Sequence, residues 1–352
     1  MTLPEEFIKY TRELMGDDRF ESLATGLKDE APVSIRLNPL KCDIAHTAIT
    51  GKRSDVAWCP TGVYMNERPN FTFDPLLHAG AYYVQEASSM FVAHVLRQTV
   101  SDSVRMLDLC AAPGGKSTAC RTFLPEGSLL ISNEPMRTRA NILSENMQKF
   151  GHTDVIVTNN YPRDFRKSGL MFDVILADVP CSGEGMFRKD EGAISEWSVQ
   201  NVENCRRLQR EIVSDIWPCL KPGGLMIYST CTFNAHEDEE NAAWIAEELG
   251  AEILPFDVEP GWGVVGNLLP VSSVKDTAKA EKLFPVAHFI PGFTRGEGFF
   301  LAVLRKNGEE ETSDWAMSSD RYENERVKSK KKRALHASVP ALPASCRSWL
   351  LH

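Results

Sequence analysis

Between residues 104 and 229 the chain carries five apolar runs of strand length: VRMLDL (104–109), SLLIS (128–132), DVIVT (154–158), FDVILAD (172–178) and GLMIYS (224–229). A strand with one wet face alternates apolar and polar residues. These runs are apolar continuously, so both of their faces must be covered. Helical stretches such as MRTRANILSENMQKFG lie between most of them. Together they predict a parallel sheet clad by helices on both sides, an α/β architecture. GEGFFLAVLRK (296–306) reads as a final strand. In the long helix before KPGG, Leu208, Ile212, Ile216 and Leu220 recur every four residues, which predicts one stripe against the sheet and a stop at Pro222-Gly223-Gly224.

The flanks differ from this middle region. Residues 1–75 read as a small α/β unit, with amphipathic helices in EEFIKYTRELM (Phe7, Ile8, Leu14) and RFESLATGL (Phe20, Leu23, Leu27). APVSIRLNPLK then alternates. It predicts a half-buried strand with Val33, Ile35 and Leu37 inside and Ser34, Arg36 and Asn38 outside, where Arg36 could meet RNA. Residues 76–306 form the larger domain, and 307–352 turn polar and basic, ending in the apolar SWLLH. That last segment is expected to be a linker, either a disordered tail or the beginning of a further domain. A chain of 352 residues accommodates about two domains.

Composition narrows the functional classes. Its 43% hydrophobic and 25% charged residues are those of a soluble globular protein, and no apolar run is long enough to span a bilayer. The N-terminal MTLPEEFIKYTREL lacks the apolar core of a secretion signal. Nine cysteines, an odd number without a CxxC pair, argue against a disulfide framework and a zinc site. The expected compartment is reducing, with cytoplasm the default. A net charge of −9 disfavours nucleic acid as a partner, but the local clusters Lys52-Arg53, Arg188-Lys189, Arg206-Arg207 with Arg210, and 328–333 (KSKKKR) could still supply one basic face.

Chemistry-bearing residues gather at strand ends. After the first strand of the larger domain comes LDLCAAPGGKS (107–117), a glycine turn leading into a helix. Such a turn brings backbone close to a ligand at a helix N-terminus. It is neither GxxxxGK[ST] nor GxGxxG. The next strand ends in Asn133-Glu134, where an acid can accept hydrogen bonds from ribose hydroxyls. With Asp178 at a third strand end, the pattern predicts a nucleoside-containing cofactor. Cys181 follows the fourth strand in DVPCSG, and Cys231 follows the fifth in YSTCTFN, so neighbouring strands should bring both thiols to one edge. Cys42, Cys59, Cys120 and Cys219 read as inert small hydrophobes. His236 through Glu240 (HEDEE) reads as helix capping and not as a metal cluster, and His288 as packed.

LDLCAAPGGKS, NEPMRTRANIL, DVPCSGEGMFRKD and YSTCTFNAHEDEEN together resemble the Nop/Sun family of RNA cytosine-5 methyltransferases, its ribosomal members above all. SIRLNPLK and AYYVQEASSM are also similar to segments of that family, and the resemblance covers roughly residues 30 to 306. It implies a Rossmann-like S-adenosylmethionine-dependent methyltransferase sheet with an antiparallel last strand, beside a small N-terminal α/β domain. It places S-adenosylmethionine at Cys110, Ala111, Ala112, Pro113, Gly114, Gly115 and Lys116, with Glu134 on the ribose and Asp178 at the fourth strand. Where the family has an acid near the adenine, this chain has Tyr161, with Asn160 beside it as a possible substitute. The resemblance makes Cys231 the nucleophile that adds to carbon 6 of cytosine. Asp178 then stabilises the adduct near ring nitrogen 3, and Cys181 assists release of the carbon-5 proton.

The expectation is therefore an RNA cytosine-5 methyltransferase acting on small-subunit (16S) ribosomal RNA, working as a monomer without metal or membrane. Arg36, Arg188 and Lys189 are the expected RNA contacts. Transfer RNA is the rival substrate. A non-catalytic ribosome assembly factor is the rival of a different class, disfavoured because a binding module needs neither two cysteines nor Asp178.

Overall fold

The computed structural model describes residues 2–42, 52–269 and 285–308. The predicted 307–352 linker and its KSKKKR run lie almost wholly outside the described residues.

Two sheets organise the chain. The smaller is antiparallel, in the order β2 (Lys52–Val56), β3 (Cys59–Met65), β1 (Ser34–Leu37), β4 (Tyr82–Val84). Helices α1 (Glu5–Met15) and α2 (Asp17–Gly26) precede it, separated by Gly16. The larger sheet runs β7 (Val155–Thr158), β6 (Leu129–Asn133), β5 (Arg105–Asp108), β8 (Phe172–Asp178), β9 (Leu220–Thr230), β12 (Phe299–Lys306), β10 (Ala251–Ile253), with β11 (Val286–Phe289) also on β12. Strands β5 to β9 pair in parallel, and β12 is antiparallel to β9, β10 and β11. All five predicted parallel strands and the final strand are present. The remaining helices are α3 (Pro75–His78), α4 (Phe91–Thr99), α5 (Gly115–Phe123), α6 (Arg137–Phe150), α7 (Phe165–Ser168), α8 (Glu191–Glu196), α9 (Val199–Ile216) and α10 (Glu239–Glu248).

The continuous apolar runs have the expected cause. Successive residues of a strand point to opposite faces, and the sheet separates two cores. Met106, Leu130, Val174, Leu176 and Ile227 belong to one core. Their neighbours Leu107, Ile131, Ile175, Met226 and Tyr228 belong to the other.

Three local expectations need correction. The buried face of α9 is Val202, Gln209, Val213 and Ile216, whereas Leu208 is exposed and Leu220 opens β9. The i+4 stripe drifts around a helix of 3.6 residues per turn, and the sheet takes the i+7, i+11, i+14 set instead. The helix also ends at Ile216, before a 3₁₀ turn containing Pro218, so Pro222-Gly223-Gly224 lies inside β9. In β1 all four residues are buried. Ile35 and Leu37 pack with Val63, Met65 and Tyr82, but the opposite face is covered by the start of α5.

Arg36 is consequently not at an RNA surface. It is 1% exposed, and its guanidinium donates to Gln85 Oε1 at 2.7 Å, Thr118 Oγ1 at 2.5 Å and the Gly115 carbonyl at 3.4 Å. Burial lowers its pKa to about 10, still a cation at neutral pH. The residue ties the small sheet to the helix that begins at the glycine turn. Replacing it with methionine would fill the volume but leave the Gln85 and Thr118 acceptors unpaired. Arg36→Met should cost about 2–4 kcal/mol in urea unfolding. Unchanged stability with a selective loss of RNA affinity would restore Arg36 to the RNA face.

Candidate active site

Parallel pairing sends the carboxyl ends of β5, β6, β8 and β9 to one edge, where ligands of open α/β sheets sit. At the end of β5, Asp108 is fully buried and accepts from Ser117 Oγ at 2.6 Å through Oδ2, while Oδ1 has no partner. Burial pushes its carboxyl from 3.8 to about 7, although the Ser117 hydroxyl pulls the other way. The turn Cys110–Gly114 follows, with Ala111 and Ala112 buried. Gly114 takes φ +114 directly before α5, a conformation L side chains rarely adopt. The first amides of α5 therefore face the crevice from a backbone free of side chains.

At the end of β6, Glu134 is 1% exposed. Its Oε1 accepts from the Met136 amide at 3.0 Å, and Oε2 has no hydrogen-bond donor, with Arg139 Nη1 3.4 Å away. The sequence reading missed Asn133, whose side chain binds the Leu109 and Asn160 carbonyls and the Asn160 amide, locking three strand ends together. Nothing in its residue type announces this. Tyr161 is 57% exposed and turned toward Arg163. Asn159, not Asn160, is the amide side chain that reaches back to the Glu134 and Pro135 carbonyls. A cavity of about 180 Å³ is lined by Asp108, Cys110, Gly115, Lys116 and Asp178, and by Tyr83, Gln85 and Glu86 from the small sheet and the segment after it. The buried Asp108 oxygen without a donor, beside the start of α5, suits a ligand that brings hydroxyl or amino donors.

The second half of the site stands on β8 and β9. Asp178 and Ser229 are register partners, and Ser229 Oγ donates to Asp178 Oδ1 at 2.8 Å. Asp178 Oδ2 lies 2.9 Å from Lys116 Nζ. Burial works against the Lys116 ammonium, but the Asp178 carboxylate outweighs it and holds the amine above its ordinary value. Beyond the strand ends, Cys181 Sγ and Cys231 Sγ are 3.0 Å apart, and the Cys231 amide lies 3.4 Å from Cys181 Sγ. The hydrogen bond with Cys231 and then burial push the Cys181 thiol well above its usual range. The Cys231 carbonyl accepts from Gly185 at 2.7 Å, an approach a side chain at 185 would block, since its Cβ would fall 2.8 Å from that oxygen.

Arg188 does not face RNA. Its side chain is 6% exposed, donating to Glu297 Oε2 at 2.8 Å and to the Gly26 and Gly296 carbonyls. Lys189 is exposed, with its ammonium 3.5 Å from the same Glu297, and keeps a place at the surface. A basic pair after a catalytic-looking loop is indistinguishable in sequence from a structural one.

The HEDEE segment meets expectation only in part: Glu239 and Glu240 stand in the first turn of α10. Asp238 precedes α10 without capping it, and Glu237, Asp238 and Glu239 are all 0% exposed. Glu237 accepts from the Ser182 amide, Gln209 and Asn234, so it holds the residue after Cys181. Glu184 likewise accepts from the Phe233 amide, Trp197 and Asn234. Glu239 binds His288 Nε2 at 2.9 Å, and its side chain, that of His288 and that of Asp238 offer donor atoms within 4.8 Å of one another.

Residues 94–305 match the family described as 16S rRNA methyltransferase RsmB/F, and residues 3–87 match the N-terminal domain of 16S rRNA methyltransferase RsmF. Ribosomal RNA small subunit methyltransferase F of Escherichia coli O9:H4 (strain HS) is 33% identical over 317 residues, 86% of this chain and 63% of that protein. The protein of that name from Shigella boydii serotype 18 (strain CDC 3083-94 / BS512) matches to the same extent. The chain therefore spans less than two thirds of the length of these relatives. Among solved structures, a methyltransferase homolog protein from Pyrococcus horikoshii superposes with TM-score 0.69 at 23% identity, over 86% of this chain and 100% of that one. NSun6 from Pyrococcus horikoshii with SFG gives 0.71 at 19%, over 87% and 99%. At those identities the likeness shows the fold.

Asp108 yields a pH test. A carboxyl raised from 3.8 unfolded to about 7 folded contributes stability that is complete below about pH 4 and lost as pH rises toward 7. Without ligand, the melting temperature should therefore fall between about pH 4 and pH 7. Asp108→Asn, which cannot ionise, should flatten that fall. Equal slopes for the two proteins would show that Asp108 is not the titrating group.

Proposed function

The chain belongs to the RsmB/F family of 16S rRNA methyltransferases, and on that premise we propose that it methylates carbon 5 of a cytosine in small-subunit ribosomal RNA, with S-adenosylmethionine as the methyl donor. The observation that carries this reading is the pair of thiols 3.0 Å apart at the ends of adjacent parallel strands, beside the Lys116–Asp178 ion pair. When bound, S-adenosylmethionine supplies an electrophilic methyl group on a sulfonium. The α5 amides after Gly114, the Glu134 carboxylate for ribose hydroxyls, paired with Arg139 but free of hydrogen-bond donors at Oε2, and the unpartnered Asp108 Oδ1 are the groups that would hold it.

Carbon 5 of cytosine is a weak nucleophile inside a conjugated ring. Addition of the Cys231 thiolate to carbon 6 breaks that conjugation and leaves carbon 5 enamine-like. Charge then builds on ring nitrogen 3 and the carbonyl oxygen. The Lys116 ammonium, shared with Asp178, is a proton source positioned to neutralise it. The target base must leave its stack to reach a thiol set among buried strand ends.

Cys181 serves the last step. Its proton is held first by the hydrogen bond with Cys231. Once Cys231 is a thioether on carbon 6, it no longer shares the Cys181 proton. Cys181 then passes that proton to solvent and, as a thiolate, takes the one on carbon 5. The electron pair of that C–H bond reforms the ring double bond as the carbon–sulfur bond to Cys231 breaks.

Trapping experiments test these roles. Wild type, Cys181→Ala and Cys231→Ala are incubated with S-adenosylmethionine and small-subunit ribosomal RNA, and denaturant-resistant protein–RNA adducts are counted. The adduct should accumulate in Cys181→Ala and be absent in Cys231→Ala. An adduct retained without Cys231 would mean a different nucleophile. Adducts formed with transfer RNA but not with ribosomal RNA would replace the substrate.

A further inference from the structure

The acids at 237–239 are buried where charge is costly, yet they neither cap α10 nor touch the cofactor cavity. Asp238 is the least compensated. Its Oδ1 accepts from Thr230 Oγ1 at 2.5 Å and from Thr232 Oγ1 at 3.0 Å. These are the two residues on either side of Cys231. Its Oδ2 has no hydrogen-bond partner and lies 4.0 Å from His288 Nδ1. On the other edge of the imidazole, His288 Nε2 meets Glu239 Oε1, which also accepts from the Leu268 amide at 2.7 Å. His288, Phe300 and Thr230 form one row across β11, β12 and β9.

We propose that Asp238 is a positioning residue for the nucleophile: one carboxylate oxygen fixes both threonines that flank Cys231, while the other faces His288, which joins the loop to β11. The proposal rests on Cys231 being the nucleophile. Three atoms set the loop. The Gly185 amide holds the Cys231 carbonyl from one side, and the two threonine hydroxyls converge on a single oxygen from the other. Between these restraints the residue carrying the thiol has little freedom to rotate away from Cys181. Burial, then Glu239, push the Asp238 carboxyl well above its ordinary range. Filling this space with an apolar side chain would avoid that cost, but the two hydroxyls, 3.1 Å apart, could then satisfy only one donor between them and would leave the other without an acceptor.

Positioning and plain stability are separable. Displacement of a reacting group by about 1 Å can cost on the order of 10²-fold in rate, without weakening substrate binding. Asp238→Ala, and independently Thr230→Val with Thr232→Val, should lower kcat on ribosomal RNA by about that factor, with KM within about twofold of wild type. Asp238→Asn keeps the acceptor oxygen and should retain most of kcat. A second readout needs no RNA: the rate of Cys231 alkylation by iodoacetamide, followed by peptide mass spectrometry with Cys205 as internal reference. It should change in Asp238→Ala and in the double threonine variant, and stay near wild type in Asp238→Asn.

If the alanine variant lowers only the melting temperature, with kcat of the folded enzyme and Cys231 alkylation unchanged, Asp238 merely stabilises the fold and the proposal fails. It fails also if asparagine is as damaging as alanine. Absence of methyl transfer by the wild type would instead defeat the assigned reaction, and the alkylation series would still decide whether Asp238 governs the Cys231 thiol.

Discussion

The parallel register between β8 and β9 is the constraint on which the site depends. Asp178 lies opposite Ser229, so the residues that follow each strand must emerge side by side. Cys181 is three residues beyond Asp178 and Cys231 two beyond Ser229, and their sulfurs meet at 3.0 Å. A slip of one residue would turn the side chains of one strand to the opposite face and separate the thiols. The two cores on opposite sides of the sheet make such a slip expensive, because a slip of β9 alone would exchange Met226 and Ile227 between cores. Ordinary hydrophobic burial thereby fixes the distance between two sulfurs that make no covalent bond to each other.

Around that register the protein keeps an unusual amount of buried acid. Glu184, Glu237, Asp238 and Glu239 are all fully buried near the two thiol loops. An uncompensated carboxylate would be prohibitive there. Glu184 and Glu237 are compensated by backbone amides and by Trp, Gln and Asn donors. Even so, burial raises Glu184 to about 7 and shifts Glu237 upward. Each acid grips a different segment: Ser182 after Cys181, Phe233 after Thr232, and the threonines around Cys231. Loops that hydrophobic contact alone would leave loose are held by directional bonds, and the thiols inherit that order.

Legibility from sequence followed the kind of physics at stake. The parallel strands could be read because covering both faces of a sheet forces continuous apolar runs, a pattern that survives without tertiary knowledge. Glu134 and Asp178 could be singled out because a carboxylate ending an apolar strand is conspicuous. Asp108 ends a strand in the same way, and the same rule applied evenly would have found it. Arg36, Arg188 and the 237–239 acids could not be read, because charge in a sequence implies solvent unless a partner is known. Their partners are Gln85, Glu297 and the Thr230–Thr232 hydroxyls, 49, 109 and 8 to 6 residues away. The α9 stripe failed for a different reason: its apolar residues repeat every four positions, while the sheet selects by 3.6.

The closeness of the two thiols also bears on the order of events. A pair sharing a hydrogen bond cannot readily ionise twice, since the first thiolate raises the cost of the second. One proton therefore stays between them, and the bond with Cys231, then burial, hold the Cys181 thiol well above its usual range. In the proposed reaction, capture of the base by Cys231 takes that sulfur out of the hydrogen-bonded pair, whereas Asp178 and Lys116, already an ion pair, need no such release. On that proposal, proton removal by Cys181 is the later step.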